Sequence, residues 1–122
     1  MAINGIAGFT AKDNLEDSAF RFVGIDGDYQ VIEAQYLAND NRILGVLQQG
    51  SAIDEPVDIA IDGSVSKVIA DAAVHPGDRL KVGDYSGVTP HTSGALCIGM
   101  ALEGAAADDV FNILVYHPKR ID

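Results

Sequence analysis

Three histidines, one cysteine and eighteen Asp and Glu side chains are the groups in this sequence with the most scope for chemistry. His75, His91 and His117 are too far apart in the chain to form a metal-ligand spacing with one another or with the cysteine. Cys97 lies in the apolar run Ala95-Leu96-Cys97-Ile98-Gly99-Met100, with no histidine beside it to activate a thiolate. A single cysteine forms no intrachain disulfide, and this setting predicts a small buried hydrophobe. Neither a Gly-x-Ser-x-Gly elbow nor a glycine-rich phosphate loop occurs. Asp26-Gly27-Asp28 has the opening of a calcium loop but not its later ligands or closing Glu. Most acidic residues stand beside Gly, Pro or Asn, where an Asp side chain caps the N–H groups of its own turn. The residues therefore predict a protein without enzyme activity, with no catalytic residues, no metal ligands and no cofactor.

Charge narrows the partners. Eight Lys and Arg against eighteen Asp and Glu leave a formal charge of −10, which repels phosphate and forgoes the counterion release that drives nucleic-acid binding. Nucleic acid and anionic membranes are poor partners for such a surface. No stretch approaches the roughly 18 apolar residues of a membrane span. The start, Met1-Ala2-Ile3-Asn4-Gly5, lacks the basic and apolar regions of a signal peptide, which predicts synthesis in a reducing cytoplasm. Hydrophobic residues make up 48% of 122, enough for one core and too short a chain for two of ordinary size.

The elements around these groups read as strands. Short apolar segments alternate with Gly, Asp, Asn and Pro, and no long run has the 3.6-residue period of a helix. Strands are expected over 18–25, 29–34, 42–48, 57–62, 64–70, 79–82, 95–102 and 110–116. Asp26-Gly27-Asp28 reads as a hairpin turn, and His75-Pro76-Gly77-Asp78 as a type II turn. Val57, Ile59 and Ile61 should face one way and Asp58, Ala60 and Asp62 the other. The alanine-rich step 71–74 is expected to form a helical turn. Residues 1–17 are predicted to be an extended arm, 18–117 the β-domain, and 118–122 a tail that leaves the fold. The fold class is all-β, a compact small barrel or tulip-like domain.

Several segments, in their order along the chain, carry a family likeness. They are Phe20-Arg21-Phe22-Val23, the Asp-Gly turn, Ile43-Leu44-Gly45-Val46-Leu47-Gln48, an acidic loop with Pro56, and Val57 to Asp62. Val65-Ser66-Lys67-Val68, Pro76-Gly77-Asp78, Ile98-Gly99-Met100-Ala101-Leu102-Glu103 and the apolar last strand from Phe111 to Val115 follow. In this order they resemble the capsid cement (head decoration) proteins of tailed phages, and the likeness runs from about residue 9 to 117. Gly63-Ser64-Val65 carries one residue more than the pattern, and His75 and Pro90-His91-Thr92-Ser93 depart from it.

The resemblance implies a structural virion protein on the outer capsid surface, made in the host cytoplasm. It would stabilise the shell by bridging neighbouring capsomers. Its partners would be the major capsid protein and further copies of itself, a trimer being favoured over a dimer. A head fibre base, a tail accessory or a ligand-binding β-barrel are the alternatives. The absence of Trp and the presence of only four Tyr count against a sugar-stacking cleft. Ile3, Ile6 and Phe9, apolar and sparsely placed in the arm, are the expected capsid-contact residues.

Overall fold

The protein is described from a computed structural model that covers residues 5–6, 8–37 and 42–120. Among the described residues, eleven strands and a 3-10 turn at Ala34–Tyr36 make an all-β domain, as the alternation predicts. The strands are β1 (Gly5–Ile6), β2 (Thr10–Ala11), β3 (Phe22–Ile25), β4 (Gln30–Glu33), β5 (Ile43–Leu47) and β6 (Ile59–Ala60). They continue as β7 (Val65–Ile69), β8 (Arg79–Val82), β9 (Val88–Pro90), β10 (Leu96–Ala101) and β11 (Val110–Arg120). One sheet has the order β1-β6-β5-β3-β4-β2 and the other β7-β11-β10-β8-β9. Among the strands named here every ladder is antiparallel except β2 with β4.

The first sheet is buried on both faces, because each of its central strands sends alternate side chains into two different clusters. Phe22, Val46 and Ala60 join Val68, Leu80, Val88, Ile98, Phe111, Ile113 and Val115 in the core between the sheets. Their neighbours Val23, Leu47 and Ile59 face the opposite way, into a second cluster closed by Ala11, Leu15 and Val57. Strands covered on both faces are apolar almost throughout, which is why Phe22-Val23 and Gly45-Val46-Leu47 show little alternation. Gly45 sits where an added Cβ would lie 2.2 Å from the Ala60 carbonyl oxygen, so only glycine admits this approach of β6.

The layer over the outer face of the first sheet is built from residues expected to be an arm. Ala11 and Leu15 are buried, and the backbone around them is bonded to the loop before β6. Ala11 N–H donates to Glu55 O at 3.0 Å, Asp54 N–H to Ala11 O at 2.8 Å, and Leu15 N–H to Ser51 O at 2.8 Å. The expected boundary at residue 17 thus falls inside a packed layer.

Other departures have local causes. The segment 18–25 is a strand only from Phe22, because Ser18–Arg21 turns and Phe20 takes φ of 66°. That kink lets Phe20 bond both sheets, donating to Leu47 O and accepting from Ile69 N–H. The strand expected over 57–62 narrows to Ile59–Ala60, since Val57 N–H turns to Phe9 O. Its facing is as expected, with Val57 and Ile59 in the second cluster, Ile61 packed against it, and Ala60 in the central core. Residues 71–74 form no helical turn, because Val74 exchanges backbone hydrogen bonds with Ala105 instead. The last strand does not stop at Tyr116. It runs to Arg120, pairing Lys119 with Cys97 and Arg120 with Leu96 beyond a register shift. Pro118 lies within that shift, where a missing N–H costs no ladder bond. Asn39-Asp40-Asn41, a turn by its composition, lies outside the described residues.

Candidate functional site

The groups that opened the sequence reading are dispersed over the domain. Cys97 is buried at 1% exposure, and its thiol contacts Gly99 O at 3.6 Å. His75 is exposed, with Nδ1 3.8 Å from Asp78 Oδ2. His91 Nε2 lies 2.8 Å from Ala95 O, and His117 is exposed on β11. Among the described residues no three His, Cys, Asp or Glu side chains gather to hold a metal ion. Asp26 instead takes two cations, Lys12 Nζ at 3.0 Å and Arg42 Nη1 at 3.8 Å, both in exposed settings where an ion pair adds little stability.

The expected capsid-contact residues fall in three different situations. Ile3 lies outside the described residues. Ile6 is in β1, whose backbone pairs Gly5 with Ala60 and Ile6 with Ile59 at the edge of the first sheet. Phe9 is half-buried against the second cluster, and its ring meets Tyr29 at a centroid distance of 5.5 Å and 59° tilt. The outer layer that carries Phe9 also exposes large apolar groups. Tyr29 is 70% exposed on the β3–β4 turn, where Gly27 takes φ of 110° and Tyr29 φ of 54°. Ile53 is 56% exposed in the loop bonded to Ala11. An apolar rim of this kind, on a side chain layer held by backbone hydrogen bonds, is suited to contact with another protein.

A second rigid presentation lies at the junction of the two sheets. Asp71 Oδ2 accepts the backbone N–H groups of Tyr85 and Gly87, each at 3.0 Å, and Arg21 Nη1 is 4.0 Å from Oδ1. The loop so held returns bonds to the first sheet: Phe22 N–H donates to Ser86 O and Gln35 N–H to the Ser86 hydroxyl oxygen. Added Cβ atoms at Gly83 and Gly87 would each lie 2.4 Å from the Asp71 carboxylate, so the loop closes around that side chain. Tyr85 and Tyr36, on the two bonded segments, are 66% and 68% exposed. The sequence reading missed this junction. An Asp followed by alanines signals a turn, and nothing local shows that its carboxylate serves a loop fourteen residues on.

A third feature is a cleft of about 720 Å³ beside the C-terminal half of β11. Leu114, Val115 and Cys97 form apolar parts of its wall, and Arg79, Lys119 and Arg120 are cationic parts.

Exposed aromatic and aliphatic groups on loops fixed by hydrogen bonds are suited to contact with another protein. Residues 18–117 match the family described as phage cement protein, and the chain belongs to that family. It is accordingly a structural protein of the phage virion. Its fold is similar to that of the head fiber gp8.5 N base of bacteriophage phi29, with a TM-score of 0.69 at 19% identity, covering 95% of this chain and 98% of that one. No curated protein matches the sequence.

Proposed function

We propose that this protein decorates the outer surface of a phage head and stabilises it by bridging neighbouring capsomers, with the major capsid protein as partner and a trimer as the working form. The observation that carries the reading is the family match over residues 18–117. The apolar rim on the N-terminal layer and the charge of −10 support it, since an acidic body faces away from packaged DNA. A clamp that binds only the assembled shell stabilises it by mass action. The grip is assigned to Ile3, Ile6 and Phe9, joined by Tyr29 beside Phe9. Each side chain buried against the shell adds on the order of 1.5–3 kcal/mol before ordering costs. Several copies on one oligomer multiply that through effective concentration.

The experiment is addition of the purified chain to heads from a phage lacking its gene. Heads should form without the protein, break at lower temperature or osmotic stress, and regain strength on addition. If no heads form at all, the protein is a shell or scaffold component and the reading fails. Ile3→Asp with Ile6→Asp should abolish decoration while the protein stays folded by circular dichroism. Unchanged binding by that folded variant removes the grip from the N-terminal segment.

A second reading, the base of a head fibre, is favoured by the likeness in fold to the phi29 fibre base. An electron-microscopy map of the virion separates the two. Density projecting beyond this chain's own volume at its sites supports a fibre base, and a close-fitting cap on the shell supports decoration.

A further inference from the structure

The cleft beside β11 has the wrong charge for the molecule it belongs to. The chain has eight Lys and Arg in all, and three of them, Arg79, Lys119 and Arg120, line this one cleft, with Asp62 as a lining carboxylate. Arg120 also donates from Nη1 to Gly94 O at 3.2 Å, which holds its guanidinium at the rim. Elsewhere Lys12 and Arg42 flank Asp26, and Arg21 lies beside Asp71. Beyond Val115, β11 pairs with β10 alone among the described residues. An edge bearing Pro118 and Lys119 resists indiscriminate pairing. The cationic rim over an apolar wall selects an occupant that is both acidic and partly apolar.

The chain carries such a segment at the other end of the same hairpin. Residues 102–109 join β10 to β11 and expose Glu103, Asp108 and Asp109. Leu102 and Val110 flank them at 45% and 47% exposure. Ten residues of strand separate Asp109 from Lys119, on the order of 30 Å at about 3.3 Å per residue. The acidic tip therefore does not reach Lys119 of its own hairpin, whereas the tip of a neighbour can. We propose that the β10–β11 tip of one copy docks in the cleft of the next, a head-to-tail contact that closes into a ring of three. Two different patches on one chain make a heterologous interface, the kind that generates cyclic assemblies. The contact is local opposite-charge attraction between molecules that repel overall, so salt governs it in a specific sense. Screening weakens the short-range pairing as well as the repulsion, and the complex is tightest at intermediate ionic strength. The inference rests on the trimer reading above and is independent of head binding.

The test is sedimentation velocity of the purified full chain with point variants. The wild-type protein should associate as a trimer. Arg79→Glu with Lys119→Glu should raise the dissociation constant at least about tenfold, as should Glu103→Lys with Asp109→Lys. All four changes in one chain should restore association, because the two patches are then complementary again. Lys12→Glu with Arg42→Glu, both beside Asp26, makes the same net-charge change as the cleft pair outside the residues of either patch and should leave the trimer intact. If the reversed cleft does not fold, Arg79→Gln with Lys119→Gln carries the test, with partial loss expected. A wild-type chain that stays monomeric, a trimer indifferent to the cleft changes, or an equal loss in the Lys12 and Arg42 control overturns the contact. Heads still decorated by such a monomer would leave the decoration reading standing.

Discussion

Replacing Asp71 by alanine should loosen the seam between the two sheets. The Asp71 carboxylate accepts two backbone N–H groups at 3.0 Å, from Tyr85 and Gly87, and its side chain is 6% exposed. Hydrogen bonds to a charged group are worth about 1.5–3 kcal/mol each. The Tyr85 bond lies in an exposed loop and belongs at the low end, and Arg21 at 4.0 Å adds little. The sum is about 3–4 kcal/mol. Unfolding entropy of roughly 2.1 cal/mol/K per residue makes each kcal/mol worth about 4 °C in a chain of this length, so Tm should fall by about 12–16 °C. Asp71→Asn keeps an acceptor oxygen without the charge and should lose about half as much. Thermal unfolding followed by circular dichroism gives both numbers. A fall below about 4 °C for the alanine variant would show that the loop is held by its glycines and its bonds to Phe22 and Gln35, and the reasoning would be refuted.

Three further outcomes follow from the packing. Leu15→Ala opens a cavity in the second cluster and should cost about 2.7–5 kcal/mol in a urea titration, whereas a loosely attached arm would lose almost nothing. Gly45→Ala should cost about 1–3 kcal/mol by the same measurement, because its methyl meets the Ala60 carbonyl; a neutral result means that β6 can shift outward. Cys97 should react with a chromogenic thiol reagent only after denaturation, and rapid labelling of the native protein would contradict its burial.

The all-β class and most of the strands were legible in the residues alone. Short alternating segments bounded by Gly, Asp and Pro are a local signal, since the two-residue period of a strand is written in neighbouring residues. The burial of Cys97 and the turn at Pro76-Gly77 were legible for the same reason, the latter confirmed by Gly77 at φ of 85°. The family was legible in the order of those segments, and the match over 18–117 bears it out.

Tertiary structure decided what depends on partners distant in the chain. Residues 1–17 read as an arm because small and polar residues surround Ile3, Ile6 and Phe9, yet the segment also carries Ala11 and Leu15. They are buried because the first sheet has a second apolar face, supplied by Val23, Leu47 and Ile59, that something must cover. The alanine step at 71–74 looked like a nascent helix, yet a few alanines cannot hold one against the bonds Val74 makes with Ala105. Asp71, the Tyr85 loop and the cationic cleft each join residues from separate strands, so no window of sequence contains them. The alternation along one strand says that two faces differ; only the folded chain says what each face meets, because burial is a property of the neighbours and not of the residue.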